Sequence, residues 1–251
     1  MRNHQRKEYP MNTVKKTLHL ANTRGKADHG WLKTNLTFSF AGYYDPSRVH
    51  FGALRVLNDD YIAGGKGFGM HPHDNMEIIT IPTSGVVAHR DNFGNEGVIT
   101  VGEVQVMSAG TGVYHSEFNH LRDQALTLFQ IWLFPNAENV KPRYDQKSFD
   151  LAGRQNRFQL LVSPSDDQSD DALWIHQYAY FSMGNFDPGQ EFSYQIKRPG
   201  NGLYVFVVKG EVETTGEKLA TRDGLGLENI DQVDFKTTDG VELLLMEVPM
   251  L

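Results

Sequence analysis

Short runs rich in Val, Ile, Phe and Tyr recur along the chain, each closed by glycine, proline or a pair of small polar residues. Strand candidates fall at 36–40, 50–57, 76–81, 85–90, 103–108, 126–134, 158–163, 174–182 and 203–208, with 233–236 and 241–248 following. None is long enough, or apolar at a 3.6-residue period, to read as an amphipathic helix, so the pattern predicts an all-β sandwich or barrel. The polar stretch 136–154, which contains PNAENVKPRYDQ, has no sustained apolar period and separates two strand-rich halves. Each half repeats a rhythm of strand, glycine turn (Ser84-Gly85, Lys209-Gly210), strand and glycine-rich corner. A duplicated barrel is the expectation.

Composition narrows the class. Hydrophobic residues at 39% and charged residues at 22% are ordinary for a soluble globular protein, and no stretch approaches the ~18 apolar residues of a membrane span. The opening residues MRNHQRKEYP are polar and basic without an apolar core segment, so 1–12 read as a flexible tail rather than a secretory signal. The chain has no cysteine, which removes disulfides and thiolate ligands and makes a cytoplasmic location the expectation. Twenty-four basic against thirty-one acidic residues give a net charge of −7, which opposes binding to nucleic-acid phosphates or anionic membranes. The acidic segment SDDQSDD (165–171) reads as a solvated loop.

Candidate chemistry is concentrated in the first half. His71-Pro72-His73 follows a glycine-rich segment and precedes the strand at 76–81, so a loop-to-strand transition is expected to present two imidazoles on one face. Alone, such a pair is weak evidence. His115-Ser116-Glu117, just past the glycine turn at 109–112, sets a third imidazole and a carboxylate on one strand face. Two facing strands converging on one ion would offer a nitrogen-rich set that suits Fe(II), Mn, Co, Ni, Cu or Zn and can leave coordination positions open. Glu77 is the rival carboxylate, because it shares the face of His73 if no bulge intervenes. His89 and Asp91 read as an outward pair near a turn, and His120 as exposed. His4, His19, His29 and His50 have no visible partner. After residue 120 the only histidine is His176, so a second three-histidine site is ruled out there and the later half is expected to be structural, with a surface for partners. Phe38, Phe40, Phe51, Phe129 and Trp132 read as core rather than as a lining for a flat substrate.

The full spacing of Gly65, His71, His73, Glu77, Gly102, Ala109-Gly110, His115 and Asn119 resembles the paired cupin motifs. The segments HGWLKTNLTFSFAGYYDP (29–46), ALRVLNDD (53–60), GFGMHPHDNMEIIT (67–80), HRDNFGN (89–95) and VMSAGTGVYHSEFN (106–119) resemble the pirin family in particular. FQIW (129–132) and PRYDQKSF (142–149) extend the likeness, which is looser beyond 155. The resemblance implies a bicupin of two tandem jelly-roll barrels. A metal-binding cupin would span 13–140, a linker 141–155 and a metal-free cupin-like domain 156–251. It also implies one divalent metal, iron(II) first, held by His71, His73, His115 and Glu117. Glu117 would then be the catalytic base, and Glu77 an acceptor that orients an imidazole N–H. The implied activity is that of a quercetin 2,3-dioxygenase, which cleaves a small aromatic flavonol with O2 and releases carbon monoxide. The alternative is a metal-bearing regulator with a protein partner. Two departures affect pocket shape: Leu36 stands where many relatives carry histidine, and Pro82 interrupts a strand that relatives continue.

Overall fold

The computed structural model describes residues 13–251, so the tail expected over 1–12, with His4, lies outside the described residues. The first half consists of β1 (Lys15–His19), β2 (Gly25–Asp28), β3 (Leu32–Leu36), β4 (Leu54–Ile62), β5 (Gly67–His73), β6 (Glu77–Ser84), β7 (Val86–Asp91), β8 (Glu96–Thr100), β9 (Glu103–Ser108), β10 (Val113–Asn119), β11 (Leu126–Leu133) and β12 (Arg143–Ser148). A seven-stranded sheet runs in the order β12-β9-β6-β11-β4-β3-β2, and a four-stranded sheet in the order β5-β10-β7-β8. Leu32, Ile62, Val87, Ile99, Leu126 and Leu128 cluster between the two sheets and close them into a jelly-roll barrel.

The second half consists of β13 (Phe158–Pro164), β14 (Leu173–Ile175), β15 (Tyr180–Phe186), β16 (Glu191–Gln195), β17 (Asn201–Thr214), β18 (Glu217–Ala220), β19 (Gly224–Glu228), β20 (Gln232–Lys236) and β21 (Val241–Pro249). Its long β17 turns a corner. The first part pairs with β19 and β21, and the last part with β18 and β20. The bend falls at a register shift between Val207 and Lys209, beside Gly210, whose φ of 89° and close approach to the Gly240 carbonyl leave no room for a Cβ. Aliphatic and aromatic side chains such as Val205, Leu225, Phe235 and Leu243 fill this second barrel. The fold is the expected pair of all-β cupin barrels. No helix of the described residues is long and apolar enough to cross a membrane.

The barrels share one core. On β6, Ile79 and Ile81 point away from the first barrel's interior and pack with Phe129, Phe181, Phe206 and Met246 in a cluster drawn from both halves. Phe129 meets Phe206 edge to face at 5.4 Å, and Phe51 meets Tyr204 at 5.5 Å. The halves also exchange backbone. Strand β1 pairs antiparallel with β19 of the second barrel, from Lys15 opposite Glu228 to His19 opposite Gly224. At the other end, the Ala53 N–H donates to the Pro249 carbonyl at 2.9 Å.

Several local expectations change. The linker expected at 141–155 contains β12, which pairs with β9 from Arg143 opposite Ser108 to Ser148 opposite Glu103. An edge strand whose residues are mostly half-exposed needs no apolar alternation, so its polar sequence hides it. The run at 36–40 ends its strand at Leu36, because Ala41 (φ 49°) turns the chain so that Phe40 pairs with Tyr43. The run at 50–57 begins its strand only at Leu54, after Gly52 (φ 50°). The run at 174–182 splits into β14 and β15. Pro82 lies within β6, and its missing N–H is absorbed by a register shift at Thr127/Leu128 on β11.

Candidate metal centre

His71 and His73 lie within β5 rather than at a loop-to-strand transition, and alternation puts both on one face. Antiparallel pairing with β10 then sets His115 opposite His71. The three rings converge, with centroids 4.4 Å apart for His71 and His115, 4.8 Å for His71 and His73, and 4.9 Å for His73 and His115. One ring nitrogen from each lies within 4.8 Å of the others. His71 Nδ1 donates to the Gly69 carbonyl at 2.7 Å, which fixes its tautomer and leaves the Nε2 lone pair free. Both ring nitrogens of His115 are buried without a protein partner, a costly arrangement unless something accepts or donates there.

Electrostatics favours neutral rings at His115 and His73. Burial, followed by the charges of His71, His73 and His89, lowers the His115 pKa to about 2. Burial, then His71, lowers that of His73 to about 4. Converging imidazoles with free lone pairs fit a divalent transition metal, and the set runs from buried His115 out to half-buried His71 and His73. Trp132 packs on His73 at 4.7 Å, and Phe68 on His71 at 6.2 Å.

Glu117 is 3% exposed and sits beyond His115 from the other two histidines. A register shift between His115 and Glu117 on the β5 side places Glu117 opposite Phe68, and on the β7 side it lies opposite His89. Its carboxylate accepts from Gln130 Nε2 at 2.7 Å and Thr80 Oγ1 at 3.2 Å. Burial raises its pKa to about 7 against the pull of those two hydrogen bonds. With His115 and His89 it forms a second group of potential ligands that overlaps the first.

His89 and Asp91 do not face outward. Both are buried, because β7 alternates Val87, His89 and Asp91 inward against Arg90 outward. His89 stacks on Tyr144 of β12 at 4.7 Å and lies 5.3 Å from His115. The signal was available in the apolar Val87, which shares the parity of His89. Glu77 also departs from expectation. It shares a face with Ile79 and Ile81 and points toward the second barrel, and Ser108 Oγ on the neighbouring strand β9 donates to it at 2.8 Å. The turn at Asn75 (φ 42°) separates β5 from β6 and cancels the assumed common face with His73, so Glu77 orients no imidazole.

The other histidines disperse. His120 is exposed, His19 hydrogen-bonds Tyr204 Oη at 2.8 Å, and His50 bonds the Gly52 carbonyl. Phe38, Phe51 and Phe129 are core, as expected, whereas Phe40 and Trp132 pack together at 5.1 Å beside the histidines. Next to them opens a cavity of about 530 Å³ lined by Leu36, Phe40, Tyr43, Asn58, Asp60 and Phe68, with Lys26 and His29 also in its wall. Its volume lies in the range of small-molecule sites. Phe68 and Phe40 connect it to the metal centre through their packing on His71 and Trp132.

Two barrels sharing a core, with three imidazoles converging in the first, define a double-barrel cupin with a candidate metal centre. More specifically, the chain belongs to the pirin family. The pirin family model matches residues 17–133, and the model for the quercetinase C-terminal cupin domain matches 160–248. The chain is 42% identical over 233 residues to the quercetin 2,3-dioxygenase of Escherichia coli strain K12, covering 92% of this chain and 98% of the relative. It is 40% identical over 223 residues to a pirin-like protein of Caulobacter vibrioides, covering 89% and 95%. The crystal structure of the bacterial pirin YhhW from Escherichia coli in complex with nickel(II) superposes with a TM-score of 0.88 at 40% identity, covering 94% of this chain and all of that one (100%).

Proposed function

We propose that this protein is a metal-dependent dioxygenase that opens the heterocycle of a flavonol such as quercetin with O2 and releases carbon monoxide. The observation that carries this reading is the convergence of His71, His73 and His115 beside a cavity walled by aromatic side chains. The names of the relatives support it. In this reading His71, His73 and His115 hold the metal, and Glu117 serves as fourth ligand and base. Iron(II) is the native ion we assign, although Mn, Co, Ni, Cu or Zn would suit the same donors. The bound metal supplies a Lewis acid for the substrate oxygen and a path for electrons to O2.

The remaining work falls to side chains. Glu117, whose carboxyl burial raises to a pKa of about 7, takes the proton of the flavonol 3-hydroxyl in its ionised form, and the ring-opened product carries the two oxygen atoms of O2 once carbon monoxide leaves. Gln130 and Thr80 fix the carboxyl group through this transfer. Phe40, Phe68 and Trp132 flank the centre and offer flat faces to an aromatic ring. The test is reconstitution with Fe(II), Mn(II), Co(II) or Ni(II), then addition of flavonol and oxygen. Metal-dependent loss of flavonol absorbance with matching carbon monoxide release is expected. Metal bound without turnover would favour a regulator instead.

A further inference from the structure

Register partners on a sheet point to the same side, so the seven-stranded sheet carries a transverse row on the barrel's inner face: Leu36, Asn58, Gln130, Thr80 and Gln105 lie opposite one another in turn. The middle of that row, Gln130 and Thr80, is spent on Glu117. Its outer part is different. Asn58, and Asp60 two residues along the same strand face, line the cavity at 5% and 6% exposure. Oδ1 of Asn58 is buried with no donor in the protein, and Oδ1 of Asp60 has only the hydroxyl of Thr34, directly opposite it, within reach. Buried acceptors so poorly supplied are costly to the fold; Leu36, Phe40 and Phe68 beside them have no donor to give, and Thr34 offers a single hydroxyl.

We propose that Asn58 and Asp60 form a recognition wall for phenolic hydroxyl groups, so that the cavity takes polyhydroxylated flavonols in preference to flavonols bearing the 3-hydroxyl alone. This inference rests on the flavonol reading above. The physical basis is asymmetric: a hydroxylated ring brings O–H donors to both acceptors, while an unsubstituted ring leaves them buried and short of donors. A site built to receive a hydroxyl discriminates far more strongly against its loss than an apolar pocket does against a missing methylene.

Binding can be read without turnover. In the nickel(II)-loaded protein under argon, quercetin and 3-hydroxyflavone are titrated against tryptophan fluorescence, which reports on the cavity because Trp31 packs on Phe68 and Trp132 on Phe40. The wild type is expected to bind quercetin about 100-fold more tightly than 3-hydroxyflavone. Asp60→Leu and Asn58→Leu should each shrink that preference to a few-fold by weakening quercetin alone, and Asn58→Leu should do so with no fall in thermal midpoint, since it removes an unpaired buried acceptor. Equal binding of both flavonols by the wild type, or an undiminished preference in both variants, overturns the inference. The wild-type comparison decides even if a variant fails to fold. Binding of neither flavonol would overturn the flavonol reading and this inference together, whereas equal binding overturns this inference alone.

Discussion

Replacing Glu77 with glutamine should remove a pH dependence of stability that originates between the barrels. Burial pushes the Glu77 carboxyl from 4.5 to about 7, with the Ser108 hydroxyl and the charge of Arg143 acting against the shift. An acid whose pKa is raised on folding holds its proton more tightly in the folded state. Its contribution is therefore full below pH 4.5 and is lost as pH rises through 7. At about 1.4 kcal/mol per pH unit, the full loss is about 3 kcal/mol, most of which falls between pH 5 and pH 8. Glutamine does not titrate, so the stability of Glu77→Gln minus that of wild type should rise by that amount over the same interval. Urea unfolding of both proteins at equal metal content, measured at pH 5, 6, 7 and 8, gives the comparison directly. Any constant offset from the new amide cancels, because only the pH dependence is read. A difference that stays flat with pH would mean that Glu77 is ionised in the fold, compensated by Arg143, and would refute the reasoning. Nickel(II) affinity should be the same in both, since Glu77 faces away from the histidines.

Three further outcomes are expected. Nickel(II) at about 1,000 times its dissociation constant should stabilise the wild type by about 4 kcal/mol, an effect that His115→Ala abolishes and a chelator reverses, read as the shift in unfolding midpoint. Glu117→Gln should retain its metal by elemental analysis while flavonol turnover falls about 100-fold or more; full activity would exclude Glu117 as the base. Phe129→Ala removes a fully buried ring from the cluster shared by both halves and should cost about 3–5 kcal/mol, lowering the unfolding midpoint of both barrels together by calorimetry.

Strand alternation is a local rule, and where the site depends on it alone the sequence was readable. His71 and His73 are two apart, as are His115 and Glu117, and each pair shares a side in the structure. Whether a given side faces the barrel interior or the neighbouring barrel is not local. The first six residues of β6 are all buried, so no polar face distinguishes one side from the other, and the side that Glu77 takes cannot be read from the strand alone. Asn58 and Asp60 are silent in the sequence for a related reason. Their place beside Gln130 comes from the pairing of β4 with β11, roughly 70 residues away in sequence, and register of that kind leaves no mark on either strand alone. Strand β12 was missed because its polar residues meet solvent on one side and Arg143, Gln146 and Ser148 spend their side chains on hydrogen bonds rather than burial. The two-barrel architecture, by contrast, follows from run length and turn spacing, which survive errors of several residues at any one strand end.

The exchange of β1 into the second barrel sets the order in which the molecule can be finished. During synthesis β1 emerges roughly 200 residues before β19, so at ~5–20 residues per second it waits on the order of 10–40 s for its partner. Over that interval the apolar back of the first barrel, with Phe38, Phe51 and Phe129, also lacks its cover. A nascent first barrel is thus an aggregation-prone intermediate rather than a finished domain, and nucleotides encoding it alone should yield insoluble product. The converse holds for the mature protein: a proteolytic nick near Leu151–Arg154 would cut the connection between the halves yet leave them stitched by β1, so the two fragments should migrate as one particle until denatured.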